Sequence, residues 1–280
     1  MKERLIIDGE EFTLVRAQRS LCAVYSSRDK YLRIGPASRI QKDLEVHRTM
    51  EQLQFPVATI SAEGTIDDDR YFVEESLGET FRVRFENEFK STGKIADRTF
   101  DEFVTITERY VDAQTKAVMS ADRGAFARGV HLPTIQEELP EYAERIQVRF
   151  DQALRTIEQF PFVFSHGDFN PSNISARGVL DLEDAISAPL GFDVTCALVT
   201  IDWFPESGGY EYEAPWRFSD AQRTRYIFGF DARLKASGHA GFAAAFDDFS
   251  YCRALWMAAR MHKFPKTQKW RYEKLIREYL

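Results

Sequence analysis

The stretch Phe162–Phe192, FVFSHGDFNPSNISARGVLDLEDAISAPLGF, decides how the rest of the chain is read. An apolar run, Phe162 to Phe164, leads into His166, Asp168 and Asn173, spaced H-G-D-x-x-x-x-N. A short turn over Ser175 to Gly178 follows, and Val179 and Leu180 then run straight into Asp181. The pattern predicts strand, polar loop, strand, with one carboxylate where the loop begins, another where the return strand ends, and a carboxamide between them. A hairpin whose Asp and Asn serve only as turn residues is the bland alternative. The order, the spacing and the flanking apolar runs together argue against it.

Phosphoryl transfer asks for this set of groups: a carboxylate to take the proton of an attacking hydroxyl, and an amide oxygen with a second carboxylate to hold magnesium against nucleotide phosphates. The segment resembles the catalytic and metal-binding parts of the aminoglycoside phosphotransferase and choline kinase family, the protein-kinase-like small-molecule phosphotransferases. The resemblance implies Asp168 as catalytic base, Asn173 and Asp181 as magnesium ligands, and His166 as a structural brace of the catalytic loop. It also implies an α+β, bilobal protein-kinase-like fold, with a small antiparallel β-sheet N-lobe carrying one helix and a larger, mainly helical C-lobe. Protein kinases share the chemistry, but Asp181-Leu182-Glu183 stands where D-F-G would be and no A-P-E follows. Too few residues remain for a full protein-kinase large lobe, so a small acceptor is expected.

Composition narrows the class. The chain has 280 residues, 44% hydrophobic and 29% charged, enough to bury a sizeable core. A net charge of −7 argues against a general nucleic-acid binder, which needs a basic face, and is compatible with a cationic substrate. Cys22, Cys196 and Cys252 are far apart, which speaks against a structural zinc or a disulfide framework and for a reducing cytoplasm. No segment has the uncharged length of a membrane span, so no membrane partner is expected.

In order, residues 1–75 read as a strand-rich nucleotide-binding lobe, with short apolar runs at Leu5–Ile7, Phe12–Val15, Leu21–Tyr25 and Tyr31–Ile34. Gly35-Pro36 ends the last of these, and a helix is predicted from about Arg39 to Leu53, with Ser38 and Gln41 spaced as a capping box. Its stripe is Ile40, Leu44, His47, Met50 and Leu53, which makes His47 a packed core residue. Val57–Ile60 and Tyr71–Val73 read as further strands. In the lobe this resembles, a basic residue on the third strand reaches the phosphates and is held by a helix carboxylate; Arg33 and Glu45 are the nearest matches. For Arg33 a surface arginine, and for Glu45 a solvated helix charge, are the competing readings. Residues 76–79 would be the hinge, where the backbone around Glu75 and Leu77 would read an adenine edge.

Residues 80–280 form the expected helical lobe. Helices are predicted within Phe100–Met119 and Glu141–Phe160, with a loop or short helical link over residues 120 to 140, and again over Ala243–His262 and Lys266–Leu280. Asp184 has an open role beside the metal segment. Asp193 precedes an apolar run and reads as an N-terminal helix cap, or in the family as a support of the catalytic loop. Trp203–Trp216 mixes aromatic rings with Glu206, Glu211 and Glu213, which suits a pocket wall for a cationic or sugar-like acceptor, or an ordinary loop with buried aromatics.

The expected activity is transfer of the terminal phosphoryl group of ATP or GTP, with Mg2+, to a hydroxyl of a small molecule. One departure from the family pattern favours the alternative of a catalytically weak nucleotide- or ligand-binding protein. Arg16 to Ser26 contains no glycine, so phosphate contact would have to come from a serine-containing turn near Arg19 and Ser20.

Overall fold

A computed structural model describes residues 2–17 and 22–280; the turn around Arg19 and Ser20 lies outside the described residues. Two compact units are present, Met1–Glu79 with Ser175–Glu183, and Thr80–Ile174 with Asp184–Leu280.

In the first unit, β1 (Arg4–Ile7), β2 (Glu10–Ala17), β3 (Ala23–Ser27) and β4 (Lys30–Pro36) precede helix α1 (Ala37–Gln52), and β5 (Ile60–Ile66) and β6 (Asp69–Glu75) follow it. They form one six-stranded antiparallel sheet in the order β1-β2-β3-β4-β6-β5. Period-two alternation sorts the side chains. Phe12, Tyr25, Leu32, Ile34 and Val73 pack together. Phe72, one residue from Val73 and so on the opposite face, packs with Cys22 and with Ile40 and Leu44 of α1. The same alternation sets Arg33 opposite Leu32 and Ile34, in register with Phe72.

The short run Leu5–Ile7 forms β1 as read, and pairs with β2. Two other local features differ from the sequence reading. Ser38 lies inside α1, which starts after Pro36 without a side-chain cap, and Gln41 donates to Glu45 instead. Proline explains this: its fixed φ suits a helix start and the helix can begin directly behind it. Val57–Ile60 is not a strand; β5 begins at Ile60, and Val57 makes an isolated bridge to Val179.

The second unit contains α2 (Phe81–Thr92), α3 (Asp97–Gln114), α4 (Arg123–Gly129), α5 (Leu132–Glu138), α6 (Ala143–Ile157), β7 (Phe162–Ser165), β8 (Ile186–Pro189), α7 (Phe192–Val199), α8 (Asp220–Ala236), α9 (Phe242–Ala258) and α10 (Pro265–Tyr279). Phe85, Phe100 and Phe103 meet Phe218 at ring-centroid distances of 5.4, 5.3 and 5.9 Å, an aromatic core with offset and edge contacts. Helix α9 is buried without interruption from Phe249 to Ala258. Among the described residues no helix is long and apolar enough to cross a membrane.

The return strand of the central stretch is also corrected. β7 pairs with β8, not with Val179–Asp181. Val179 instead donates its amide to the Pro56 carbonyl at 2.7 Å, and Asp181 takes φ +62°, a left-handed conformation that a strand cannot contain.

Candidate active site

The loop after β7 is built on a buried anion. Asp193 is 1% exposed, and its Oδ2 accepts from the Tyr110 hydroxyl at 3.0 Å, the Gln114 amide at 2.9 Å and the His166 backbone N–H at 2.8 Å, while Oδ1 accepts from the Gly167 N–H at 3.2 Å. Burial, together with the Asp193 charge, holds the Tyr110 hydroxyl well above its usual pKa, so it stays a donor. The helix that follows is capped by Gly191, not by Asp193, which sits in its first turn and turns its carboxylate onto the loop. His166 is fully buried, its ring edge-on to Phe169 at 6.0 Å.

Gly167 takes φ +78°, and a Cβ there would run into the carbonyl oxygen of Asp184. Both the backbone conformation and the space exclude a side chain. Gly167→Ala is therefore expected to lower stability by about 2–4 kcal/mol, from strain and steric displacement together, read as a shift in the urea midpoint.

Asp168 emerges from that loop with its two oxygens unequally engaged. Oδ1 accepts from Arg253 Nη2 at 2.6 Å and Asn170 Nδ2 at 2.9 Å; Oδ2 has a 3.3 Å contact to Asn173 Nδ2. Asn173 also donates to the Asp168 carbonyl at 3.0 Å. Its amide nitrogen thus turns toward Asp168 and its oxygen away. Arg253, fully buried in α9, further donates to Thr200 Oγ1 at 3.1 Å and the Gly167 carbonyl at 3.3 Å.

Asp168, Asn173 and Arg253 line a cavity of about 250 Å³ with Tyr212, Trp216 and Trp256 among its aromatic walls. The glutamates of the Trp203–Trp216 segment are engaged elsewhere. Glu211 caps the start of α10 through the Lys266 and Thr267 amides, Glu213 accepts from the Gly209 and Tyr210 amides, and Glu206 pairs with Arg217 at 3.1 Å. Asp184 forms a two-pronged pair with Arg260 at 3.2 and 3.1 Å.

The first unit carries the other expected residues. Arg33 bonds Glu74 of β6 at 3.1 Å and lies 3.6 Å from Asp181 Oδ1. Burial works against the Arg33 charge, but Glu74 and Asp181 outweigh it and hold the guanidinium protonated. The expected pairing with Glu45 is not made. Glu45 is exposed and accepts from Gln41, because it lies off the Ile40–Leu44–His47 stripe. Asp43, three residues after Ile40 and four before His47, lines the same crevice as Arg33, Glu74 and Asp181. Burial raises the Asp43 pKa against the opposing pull of Arg39 and Arg33. Asp181 Oδ1 is buried with no hydrogen-bond partner among the described residues. Glu75 ends β6 exposed, and Leu77 is buried beyond it.

A carboxylate in a fully braced loop, facing an aromatic-walled cavity, in a chain with an antiparallel sheet unit and a helical unit, defines a protein-kinase-like phosphotransferase fold. The chain belongs to the phosphotransferase enzyme family (APH), whose sequence profile matches residues 23–230. Among solved structures it resembles the aminoglycoside phosphotransferase APH(3'')-Id of Streptomyces rimosus, solved with ADP and streptomycin, at 13% identity and TM-score 0.54, covering 86% of this chain and 92% of that one. It also resembles a choline/ethanolamine kinase family protein of Mesorhizobium loti at 14% identity and TM-score 0.51, covering 94% and 87%. At such identities the likeness speaks for the fold. None of the curated proteins compared matches the chain.

Proposed function

We propose that this phosphotransferase moves the terminal phosphoryl group of a nucleoside triphosphate, ATP or GTP, to a hydroxyl of a small molecule, with Asp168 as the general base. The observation that carries this is the asymmetry of Asp168: Arg253 and Asn170 occupy Oδ1, and Oδ2 is left to take the hydroxyl proton of an acceptor in the cavity. The acceptor oxygen then forms its bond to the γ-phosphorus as the bond to the bridging oxygen breaks. The nucleoside diphosphate leaves with the electron pair, and the proton goes to Asp168.

Magnesium suits the proposed donors, Asn173 and Asp181. Both offer hard oxygens, the Asn173 oxygen is directed away from Asp168, and Asp181 Oδ1 lacks a hydrogen-bond partner among the described residues. When bound, the ion would neutralise charge on the phosphate oxygens. Arg33 would serve the phosphates as a fork held by Glu74, and the backbone near Glu75 and Leu77 the base.

A second reading, a nucleotide- or ligand-binding regulatory protein with little turnover, draws on the 2.6 Å Arg253–Asp168 pair, which gives the carboxylate a structural partner inside the fold. The deciding assay is acceptor-stimulated release of nucleoside diphosphate across a set of small hydroxyl compounds. Under the phosphotransfer reading EDTA abolishes the stimulation and added Mg2+ restores it. Nucleotide binding with no acceptor raising turnover would favour the regulatory reading.

A further inference from the structure

The cavity beside Asp168 is unusually rich in guanidinium groups. Arg82, Arg253, Arg260 and Arg271 all line it, against Asp168 as its carboxylate. Three of these arginines have an acidic partner: Arg253 has Asp168 at 2.6 Å, Arg260 has Asp184 at 3.1 Å, and Arg82 has Glu86 at 4.0 Å. Arg271 has no carboxylate within 4 Å among the described residues. It is 1% exposed, held through Nε to the Trp203 carbonyl at 2.8 Å and through Nη1 to the Met257 carbonyl at 2.6 Å. Its Nη2 has no hydrogen-bond partner among the described residues, and neither has the indole N–H of Trp216, a second buried wall residue. Two residues that line the cavity therefore each carry a buried donor, one of them charged, with no acceptor for it among the described residues. Burial and the neighbouring Arg253 guanidinium push the Arg271 pKa down to about 9, a tension that an anion in contact with it would relieve.

The aromatic walls lean the same way. A cationic acceptor would be captured by ring faces, but these rings already carry cations. Arg253 and Arg260 lie over Trp256 at 3.9 and 4.2 Å, Arg271 over Phe204 at 4.7 Å, and Arg82 over Tyr212 at 5.9 Å. An ammonium entering here would meet like charge and occupied rings.

We infer that the acceptor of this enzyme is a hydroxyl compound with an apolar or aromatic body and an anionic group such as a carboxylate, received by Arg271 and Trp216, and not a polycation. This rests on the reading of the cavity as the acceptor site. Arg271 and Trp216 would be specificity-determining residues: the anion on Arg271 and the indole N–H places the body among the rings and the hydroxyl toward Asp168.

A matched series tests it without nucleotide: 3-phenyllactate (anionic), 3-phenyllactamide (neutral) and phenylalaninol (cationic) share a ring and a hydroxyl and differ in charge. Ligand-observed NMR titration of the wild-type chain is expected to give phenyllactate about tenfold tighter binding than the amide, the order of a charged hydrogen bond, with phenylalaninol weakest. Arg271→Met should bring phenyllactate to the level of the amide while leaving the amide unchanged. Trp216→Phe, which removes the N–H and keeps a ring, should weaken phenyllactate severalfold, and it serves where the Arg271 variant does not fold. Phenylalaninol binding as tightly as phenyllactate, equal or absent binding of all three, or displacement of phenyllactate by ADP would overturn the inference. Binding in the predicted order, with no phosphorylated product once ATP and Mg2+ are added, would instead count against phosphotransfer and leave the anionic site standing. Phosphorylation of a polycation at this site would refute the anionic acceptor and leave phosphotransfer standing.

Discussion

Asp168→Asn is expected to lower acceptor-stimulated turnover by about 10²–10⁴-fold, the range removed with a general base, while nucleotide affinity stays within about twofold. The substitution is chosen so that the fold survives. The amide oxygen of asparagine can still accept from Arg253 Nη2, now at 2.6 Å from Oδ1, so the buried guanidinium is not stranded. The other oxygen is replaced by an NH2 group, which removes its proton-accepting capacity together with the 3.3 Å contact it accepts from Asn173 Nδ2. Circular dichroism should be unchanged and the loss should fall on kcat, because the group acts on the transition state. A loss of less than about fivefold would mean that Asp168 is not the base and that the regulatory reading is the better one.

The largest stability effect is expected at Asp193. Asp193→Ala removes the charged acceptor shared by the Tyr110 hydroxyl, the Gln114 amide and the His166 and Gly167 backbone N–H groups; the Gln114 amide keeps the Phe164 carbonyl at 3.1 Å and the His166 N–H keeps the Tyr110 hydroxyl at 2.9 Å. Each hydrogen bond to a charged group contributes about 1.5–3 kcal/mol, so losing the set is expected to cost about 4 kcal/mol or more even with those second acceptors. That is comparable with the whole stability of many domains, about 5–15 kcal/mol, and the variant should be mostly unfolded or recovered insoluble. Urea unfolding of whatever remains soluble gives the number. A midpoint within error of wild type would show that the loop does not depend on Asp193. With His166 and Gly167 bound to Asp193 through their backbone, the direction in which Asp168 leaves the loop after β7 is fixed by the fold itself.

The polar loop after β7 was legible in the sequence because its groups are close along the chain and an apolar run marks where it starts. His166, Asp168 and Asn173 needed only their spacing and the apolar run before them. The α+β organisation was legible for a similar reason, since the switch from period two before Pro36 to a stripe at Ile40, Leu44, His47 and Met50 is local. Partnerships across the chain were not. Arg33 looked to Glu45 because the sequence offered a helix carboxylate, whereas sheet register delivers Glu74, 41 residues away. Arg253 is 85 residues from Asp168, and nothing near either one announces the other. There was a signal all the same. Arg253 stands in the run Tyr251–Ala259, otherwise free of charge, and a lone cation inside a buried helix has to have a partner. The return strand failed for the opposite reason. Val179 and Leu180 look like a strand, but a left-handed Asp181 and an edge amide bonded to Pro56 carry that segment into the first unit, and only tertiary structure decides it.

Phosphoryl transfer to a hydroxyl is tested most directly by 31P NMR of the wild-type chain with ATP, Mg2+ and a hydroxyl acceptor that stimulates ADP release. The expected result is a phosphomonoester resonance of the acceptor rising in step with ADP, and absent with Asp168→Asn. ADP accompanied only by inorganic phosphate, or a phosphomonoester formed as fast by the variant as by the wild type, would contradict it.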